Sequence, residues 1–242
     1  MSDRTSRRNL SPRWPTGTLM SALDDMERNE LFGLGEVQRH EAGTILIQQG
    51  DPRRDHVLLL RSIRSTSPAC AKVTAILDNG AEALLGIRLS GDLVGEMATL
   101  REMDRSATVT ACTPLVTFKI PSATFFAYLN EHPHLWHALA SMIVERLEWA
   151  NQRRLEFGAF EVPVRLARVL GDLAARHGFA VDNGTDLGIR LSQPELGRLI
   201  GAKEAAVNNA VRLLKQHGLL LTDYRKIVIT DLAALRAFGF AG

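Results

Sequence analysis

Short apolar segments separated by turn residues fill the first half of the chain between residues 37 and 120. Gly, Pro, Asp and Asn stand between these segments. Many short strands at this spacing are typical of a β-barrel or jelly roll. The tripeptide Asp78-Asn79-Gly80 predicts a hairpin, because Asn and Gly accept the positive φ of tight turns. The predicted strands lie at 44–47, 57–60, 73–77, 83–87 and 115–118.

Helical periodicity is found on both sides of this region. Residues 19–34 predict a short helical entry segment, and residues 133–160 predict one long helix. An apolar or small side chain recurs every three or four residues along the long helix, which is typical of a seam between two helices. We expect the seam to join two copies of the chain; packing of the helix on its own barrel is the alternative. The seam contains Leu139, Ile143, Leu147, Ala150, Arg154 and Phe157.

A helix-turn-helix is predicted after the long helix. Ser192 and Glu195 have the spacing of a capping box, which marks the start of the first helix. Gly201 supplies the turn, because glycine tolerates positive φ. A second helix would follow over residues 203–217. Its inner face would carry Val207, Val211 and Leu214.

The fold class is therefore α+β, with four segments. Pro163 marks the boundary after the long helix. The first 13 residues carry four arginines against one aspartate and show no periodicity, which predicts a disordered basic tail. Strands at 219–222 and 226–229 would form the wing of a winged helix. The segments are a tail over 1–18, a β jelly-roll domain over 19–132, a dimerisation helix over 133–160 and a winged-helix domain over 161–242.

Composition adds little to this picture. The 242 residues carry 29 basic and 27 acidic side chains, so the net charge of +2 gives little indication of a polyanionic partner. The chain has neither an apolar run of about 18 residues nor a secretory signal, so we expect a cytoplasmic protein without a membrane partner. Cys70 and Cys112 lie far apart in the sequence and are expected to be reduced thiols. The sequence contains no Cys/His cluster of the kind that predicts a metal site.

The most informative chemistry lies in residues 91–109. The carboxylate of Glu96 can accept from a ribose hydroxyl, and Arg105 can bind phosphate oxygens with two parallel bonds. The Ser106 hydroxyl and the Ala107 amide can complete an anion nest. The alternative is a surface salt bridge between Glu96 and Arg105 on a hairpin. The candidate ligand-binding residues of this segment are Gly95, Glu96, Met97, Ala98, Arg105, Ser106 and Ala107.

This segment resembles the phosphate-binding cassette of cyclic-nucleotide-binding domains. With the long helix and the winged helix after it, residues 20–240 resemble the cAMP receptor protein and fumarate-nitrate regulator (Crp/Fnr) family of bacterial transcription factors. The resemblance implies a homodimer that binds double-stranded DNA, a cyclic nucleotide effector such as cAMP or cGMP, and allosteric control of operator binding. RNA polymerase is a further expected partner. It implies a regulator and not an enzyme; a phosphodiesterase is the competing class, although no metal cluster or activated nucleophile points to one.

Two departures from the family concern the ligand. The cAMP-binding members place hydroxyl residues on the long helix, where this chain has Ala150 and Asn151. Asn151 offers both a donor and an acceptor, so it is our candidate for contact with the base. Arg153 and Arg154 lie nearby and could stack on a base or contact the phosphate. An apparent insertion around residues 64–71 would reshape the pocket mouth. Together these departures leave a ligand-independent regulator with a degenerate pocket as the alternative.

A third departure concerns DNA. The family usually has Arg and Glu at the start of the recognition helix and a further Arg along it, where this chain has Glu204, Ala205 and Asn209. Asparagine pairs with adenine, so we expect an altered operator, with weak or absent DNA binding as the alternative. Basic residues on both helices would contact phosphates; Arg198 and Lys215 are further candidates of this kind. The candidate DNA-binding residues are Ser192, Gln193, Lys203, Glu204, Ala205, Asn208, Asn209 and Arg212.

Overall fold

The computed structural model describes residues 14–63, 69–223 and 226–240. Eight strands form the N-terminal barrel as two antiparallel four-stranded sheets, ordered β1-β8-β3-β6 and β2-β7-β4-β5. The expected jelly roll and the β4–β5 hairpin at Gly80 (φ 79°) are confirmed. The strands are β1 (Glu36–His40), β2 (Ile45–Ile47), β3 (His56–Ser62), β4 (Cys70–Ile76), β5 (Glu82–Leu89), β6 (Leu93–Val94), β7 (Thr108–Ala111) and β8 (Leu115–Pro121).

Helices precede, interrupt and follow the strands of the barrel in the sequence. A 3-10 turn (Leu19–Ala22) and α1 (Asp25–Gly33) precede the strands, and α2 (Glu96–Arg101) interrupts them. Helix α3 (Ser122–Glu131) leads into the long α4 (Pro133–Ala159). Leu58, Leu60, Ala71 and Val109 belong to the apolar core between the two sheets. A second core packs the N-terminal helical segment, α3 and the first half of α4 against the outside of β3 and β8.

The expected tail over residues 1–18 is wrong at its C-terminal end. Trp14 packs against Phe32, with ring centroids 6.0 Å apart. Thr18 is only 4% exposed, and its hydroxyl donates to the carbonyl of Pro15 at 2.7 Å. The aromatic contact with α1 and the internal hydrogen bond therefore give residues 14–18 a defined, partly buried conformation. Residues 1–13 lie outside the described residues, as do residues 64–68 of the expected insertion around 64–71, whereas Cys70 and Ala71 already belong to β4.

The predicted seam of α4 is buried in its first half and exposed in its second half. Leu139 is buried in its own domain, where it belongs to the second core. Further along, apolar side chains face solvent: Val144 is 50% exposed, Leu147 58% and Leu155 68%. The first half of α4 therefore packs on its own barrel, and its second half presents an uncovered apolar stripe.

The C-terminal domain contains four helices and four strands among the described residues. They are α5 (Val162–His177), β9 (Phe179–Val181), β10 (Gly184–Asp186), α6 (Gln193–Ile200), α7 (Glu204–Gln216), β11 (Leu220–Asp223), β12 (Lys226–Ile229) and α8 (Leu232–Phe240). The wing strands β11 and β12 agree with the predicted ones, but the hairpin β9–β10 was missed. It extends the wing into a sheet ordered β11-β12-β10-β9.

Local chemistry explains the helix-turn-helix. Ser192 and Glu195 form the predicted capping box at the start of α6, and Gly201 ends that helix with φ 64°. Gly197 lies where the chain crosses closely, because an added Cβ would stand 2.5 Å from the carbonyl oxygen of Ala202. These features fix the angle at which α7 leaves α6.

The two domains meet across the outer face of the β4–β5 hairpin. Lys72 on β4 forms an ion pair with Glu195 at 2.7 Å, and Glu82 on β5 forms one with Arg198 at 2.5 Å. Arg153 on α4 donates to the carbonyl of Leu85 at 2.9 Å and to that of Leu199 at 3.0 Å. Helix α6 is therefore held against the barrel by charged and hydrogen-bonded contacts.

Candidate functional site

The cassette is built on the turn between β6 and α2. Gly95 caps α2 with φ 90°, and an added Cβ there would lie 2.7 Å from Nη1 of Arg105. Glycine is required because the backbone needs positive φ and because the guanidinium approaches so closely. Glu96 then begins the helix with only 3% exposure.

Arg105 is held by backbone carbonyls and not by a carboxylate. Its Nη1 donates to the carbonyl of Gly95 at 2.7 Å, and its Nη2 donates to that of His56 at 2.8 Å. Burial lowers the pKa of Arg105, which is 4% exposed. The alternative of a surface Glu96–Arg105 salt bridge is wrong, because Glu96 pairs with a different arginine.

That arginine is Arg146 on α4, which the sequence analysis missed. It donates to Glu96 at 2.7 Å and to Asp92 at 2.8 Å. Burial alone would lower the pKa of Arg146, but the two carboxylates outweigh it and raise the pKa. A signal was present in the sequence, because Arg146 precedes Ala150 by one helical turn and shares its side of the helix.

These groups line a cavity of about 60 Å³. Arg88 on β5 also lines it, and burial lowers the pKa of this side chain to about 10. In the described part of the chain, no carboxylate lies within ion-pair distance of Arg88; it donates to the carbonyl of Ile87 at 3.0 Å. The lining carries three arginines against Glu96, and with Asp92, which pairs with Arg146, the site keeps an excess of positive charge. The lining comprises Ile47, Val73, Arg88, Val94, Gly95, Glu96, Met97, Ala98, Arg105, Ser106, Ala107, Val109 and Arg146.

The structure brings together all the predicted cassette residues but not Asn151. Ser106 is exposed and Ala107 half-buried, so both can reach a ligand in the cavity. Asn151 is half-buried further along α4 and does not line the cavity. Arg153 is buried in the contact between the domains and stacks on Trp149, 3.7 Å from its ring centroid. The expectation that Arg153 contacts a ligand is therefore wrong.

The recognition-helix candidates lie on the outer face of α7. Lys203, Glu204, Ala205, Asn208, Asn209 and Arg212 are all exposed. Arg212 donates to the side-chain oxygen of Asn209 at 2.9 Å. The residue expected to contact phosphate is therefore hydrogen-bonded to the residue expected to read a base. An open groove of about 440 Å³ runs along this helix. Its lining comprises Gln193, Asn208, Val211, Arg212, Lys215, Gln216 and Thr222.

The remaining candidates lie at the start of α6. The side chain of Ser192 forms the capping box, in which its hydroxyl donates to Glu195 at 2.7 Å. Gln193 lines the groove, and its buried amide oxygen has no hydrogen-bond partner among the described residues. Arg198 is bound to Glu82 and is not free for phosphate in this arrangement.

Two further observations concern metal binding and membrane insertion. Within residues 14–63, 69–223 and 226–240, no group of three or more His, Cys, Asp or Glu side chains could hold a metal ion. Among the described helices, none combines the length and the hydropathy that a membrane span requires.

A cationic cavity in a jelly roll, a long helix and a winged helix-turn-helix together define a DNA-binding transcriptional regulator. Residues 37–132 match the family model of the cyclic nucleotide-binding domain, and residues 164–238 match that of the Crp-like helix-turn-helix domain. The chain belongs to the Crp/Fnr family of DNA-binding transcriptional regulators and is not an enzyme.

Curated relatives and solved structures agree with this assignment. The cAMP-activated global transcriptional regulator Vfr of Pseudomonas aeruginosa is 26% identical over 156 residues, which is 63% of this chain and 72% of Vfr. The cAMP-activated regulator CRP of Salmonella typhimurium is 24% identical over 153 residues, 63% of this chain and 72% of CRP. The c-di-GMP-responsive regulator CLP of Xanthomonas campestris has the same fold, with a TM-score of 0.70 at 21% identity over 86% of this chain and 100% of CLP.

Proposed function

We propose that the barrel cavity binds cAMP or cGMP and that this ligand controls operator binding by a homodimer. The observation that carries the proposal is the cationic cavity at the cassette, where Arg105 is fixed by two carbonyls. These bonds leave other N–H groups of the guanidinium for a cyclic phosphate. Two relatives of the chain are named as cAMP-activated, which supports a cyclic nucleotide as the effector.

The ion pair between Glu96 and Arg146 suggests how a ligand would be sensed. A ribose hydroxyl that donates to Glu96 would compete with Arg146, which also binds Asp92. Arg146 belongs to α4, so a change at the ligand would reach the long helix directly. The effector would then stabilise one arrangement of α4 more than another, which is a shift of population.

The uncovered stripe of α4 supports the proposed homodimer. Val144, Leu147 and Leu155 are half or more exposed, and Asn151 lies in the same stripe. Large apolar side chains recurring on one helical side are covered when a second helix packs against them. Asn151 remains our candidate for the base contact, because a ligand in the barrel would lean on paired α4 helices. RNA polymerase remains an expected partner of the regulator.

Isothermal titration of the full-length chain with cAMP and cGMP, at one fixed salt concentration, tests the effector. We expect saturable binding of one or both nucleotides. Arg105→Ala should weaken it by about 2–3 kcal/mol, since a charge-assisted phosphate contact is lost. Arg101→Ala is the matched control, because Arg101 is exposed on α2 and does not line the cavity.

A ligand-independent regulator is the second candidate. It is favoured by the internal partners that Glu96 and Arg105 already have and by the small cavity. A titration without heat for either nucleotide, together with an unchanged melting temperature, would establish this alternative, because a ligand that binds the folded state must stabilise it.

Sedimentation of the wild type and of Leu147→Glu tests the homodimer. We expect a dimer for the wild type and a monomer for the variant, because a carboxylate would be buried in the seam. Leu77→Glu makes the same change at a position that is 52% exposed and lies away from α4, so it is the control and should stay dimeric. A monomeric wild type at micromolar concentration would overturn the proposal.

A further inference from the structure

Cys70 and Cys112, which are far apart in the sequence, are neighbours in the fold. Strands β4 and β7 pair in a register that sets Ala71 opposite Ala111. One step beyond this register, the amide of Cys112 donates to the carbonyl of Cys70 at 2.7 Å. The two cysteines therefore lie opposite each other on adjacent antiparallel strands, and their side chains share one face of the sheet.

That face is the outer one. Ala71 and Ala111 belong to the core between the sheets, so the cysteines point away from it. Cys70 is fully buried in an apolar cluster that joins Leu84 to the core of the C-terminal domain, and Cys112 packs against it half-buried. The thiols therefore lie in the contact between the two domains, near the ion pair of Lys72 and Glu195 at 2.7 Å.

The two thiols have different surroundings. A hydrogen bond with the Cys70 thiol lowers the pKa of Cys112, and the nearby Lys72 lowers it further. The same hydrogen bond, together with burial, raises the pKa of Cys70. Cys112 is also the more accessible of the two. Nucleophilic attack on an oxidant is favoured by thiolate character and by access, so Cys112 is the thiol that reacts first.

We propose that Cys70 and Cys112 form a redox-sensitive dithiol, which a hydroperoxide converts to an intrachain disulfide beneath the DNA-binding domain. Residues opposite each other at a hydrogen-bonded position of antiparallel strands have Cα atoms about 5.5 Å apart. This lies within the range of about 4.4–6.8 Å that disulfides span. The Cα separation therefore fits a disulfide, and closure of the bond requires the two Cβ atoms to approach from about 4.5–5.5 Å to about 3.5–4.5 Å.

The reaction proceeds in two steps. The Cys112 thiolate attacks the terminal peroxide oxygen, the O–O bond breaks, and the second oxygen takes up a proton and leaves as water from hydrogen peroxide or as an alcohol from an organic hydroperoxide, which gives a sulfenic acid. The Cys70 sulfur then attacks the sulfenic sulfur, so that an S–S bond forms, the S–O bond breaks and water leaves. The two sulfurs lose one electron pair in total, and the peroxide gains it.

Mass spectrometry of the intact full-length chain after mild hydrogen peroxide treatment tests the proposal. The chain has only two cysteines, so thiol counts are unambiguous. We expect a loss of about 2 Da that dithiothreitol reverses, as two hydrogens leave on disulfide formation. A Cys70–Cys112 linked peptide should appear, and the rate should be independent of protein concentration.

Each single variant has its own expected outcome. Cys70→Ala leaves Cys112 without a resolving thiol and should gain oxygen instead of losing hydrogen. Cys112→Ala should keep Cys70 as a free thiol under the same treatment, because Cys70 is buried. The proposal is overturned if the folded wild type keeps two titratable thiols, or if its only disulfides join separate chains. Circular dichroism of each variant before treatment establishes that it is folded.

Discussion

The protonation of His177 offers a test of how the C-terminal domain is packed. His177 ends α5, and its Nδ1 lies 2.6 Å from the carbonyl oxygen of Leu187. Its Nε2 is buried and has no hydrogen-bond partner among the described residues. Burial lowers the pKa of His177 to about 4 from 6.5. The ring is therefore neutral in the folded chain at neutral pH, and Nδ1 donates the hydrogen to the carbonyl.

The sign and the size of the effect follow from these values. Between pH 6.5 and about 4 the unfolded chain binds a proton at His177 that the folded chain does not. The free energy of unfolding must therefore fall as the pH falls through this window. At pH 5 the loss attributable to His177 is about 2 kcal/mol relative to pH 7, and below pH 4 it approaches about 3 kcal/mol.

Urea unfolding of the full-length chain at pH 7 and pH 5, followed by circular dichroism, measures this loss. His177→Asn is the informative variant, because its amide can still donate to the Leu187 carbonyl but does not titrate. We expect its loss between the two pH values to be about 2 kcal/mol smaller than that of the wild type. His137→Asn, at an exposed position on α4, should behave as the wild type does. Equal losses in the wild type and His177→Asn would refute the reasoning.

Other substitutions test the cassette and the DNA-binding domain. Arg146→Met should lower the free energy of unfolding by about 3–5 kcal/mol, because Glu96 is left buried without its partner; a thermal melt unchanged from the wild type would contradict this. Gly197→Ala should weaken DNA binding in fluorescence anisotropy, since the new Cβ would meet the Ala202 carbonyl at 2.5 Å. Asn209→Arg should change the preferred duplex more than the total affinity, and the same consensus selected from a random library would show that this position reads no base.

Local features of the sequence predicted much of the fold. The capping box at Ser192, the positive φ of Gly201 and the hairpin at Gly80 depend on residues that are close in the chain. Their chemistry is decided within a few residues, so a sequence pattern contains it. The missed hairpin β9–β10 is short, and β9 is largely exposed, so it has no clear apolar alternation.

Contacts between distant residues were not predictable in the same way. Arg146 and Glu96 are 50 residues apart, and although Arg146 shares a side of α4 with Ala150, no local pattern pairs it with Glu96. The two cysteines were expected only to be reduced thiols, and only the register of β4 and β7 places them together. The exposed apolar stripe of α4 differs from the predicted seam, because helical periodicity does not show which side of a helix packs on its own domain.

Arg153 is one of the contacts that must change when the domains move apart. Its guanidinium joins the carbonyls of Leu85 and Leu199, so a rotation of the DNA-binding domain must break one bond while the other is kept. A hydrogen bond to a charged group contributes about 1.5–3 kcal/mol. A ligand whose affinities for two arrangements differ by roughly 10- to 150-fold provides a comparable free energy. One such ligand could therefore offset the loss of a single Arg153 bond, whereas the ion pairs of Lys72 and Glu82 and the apolar contact around Leu84 add to the free energy needed to separate the domains.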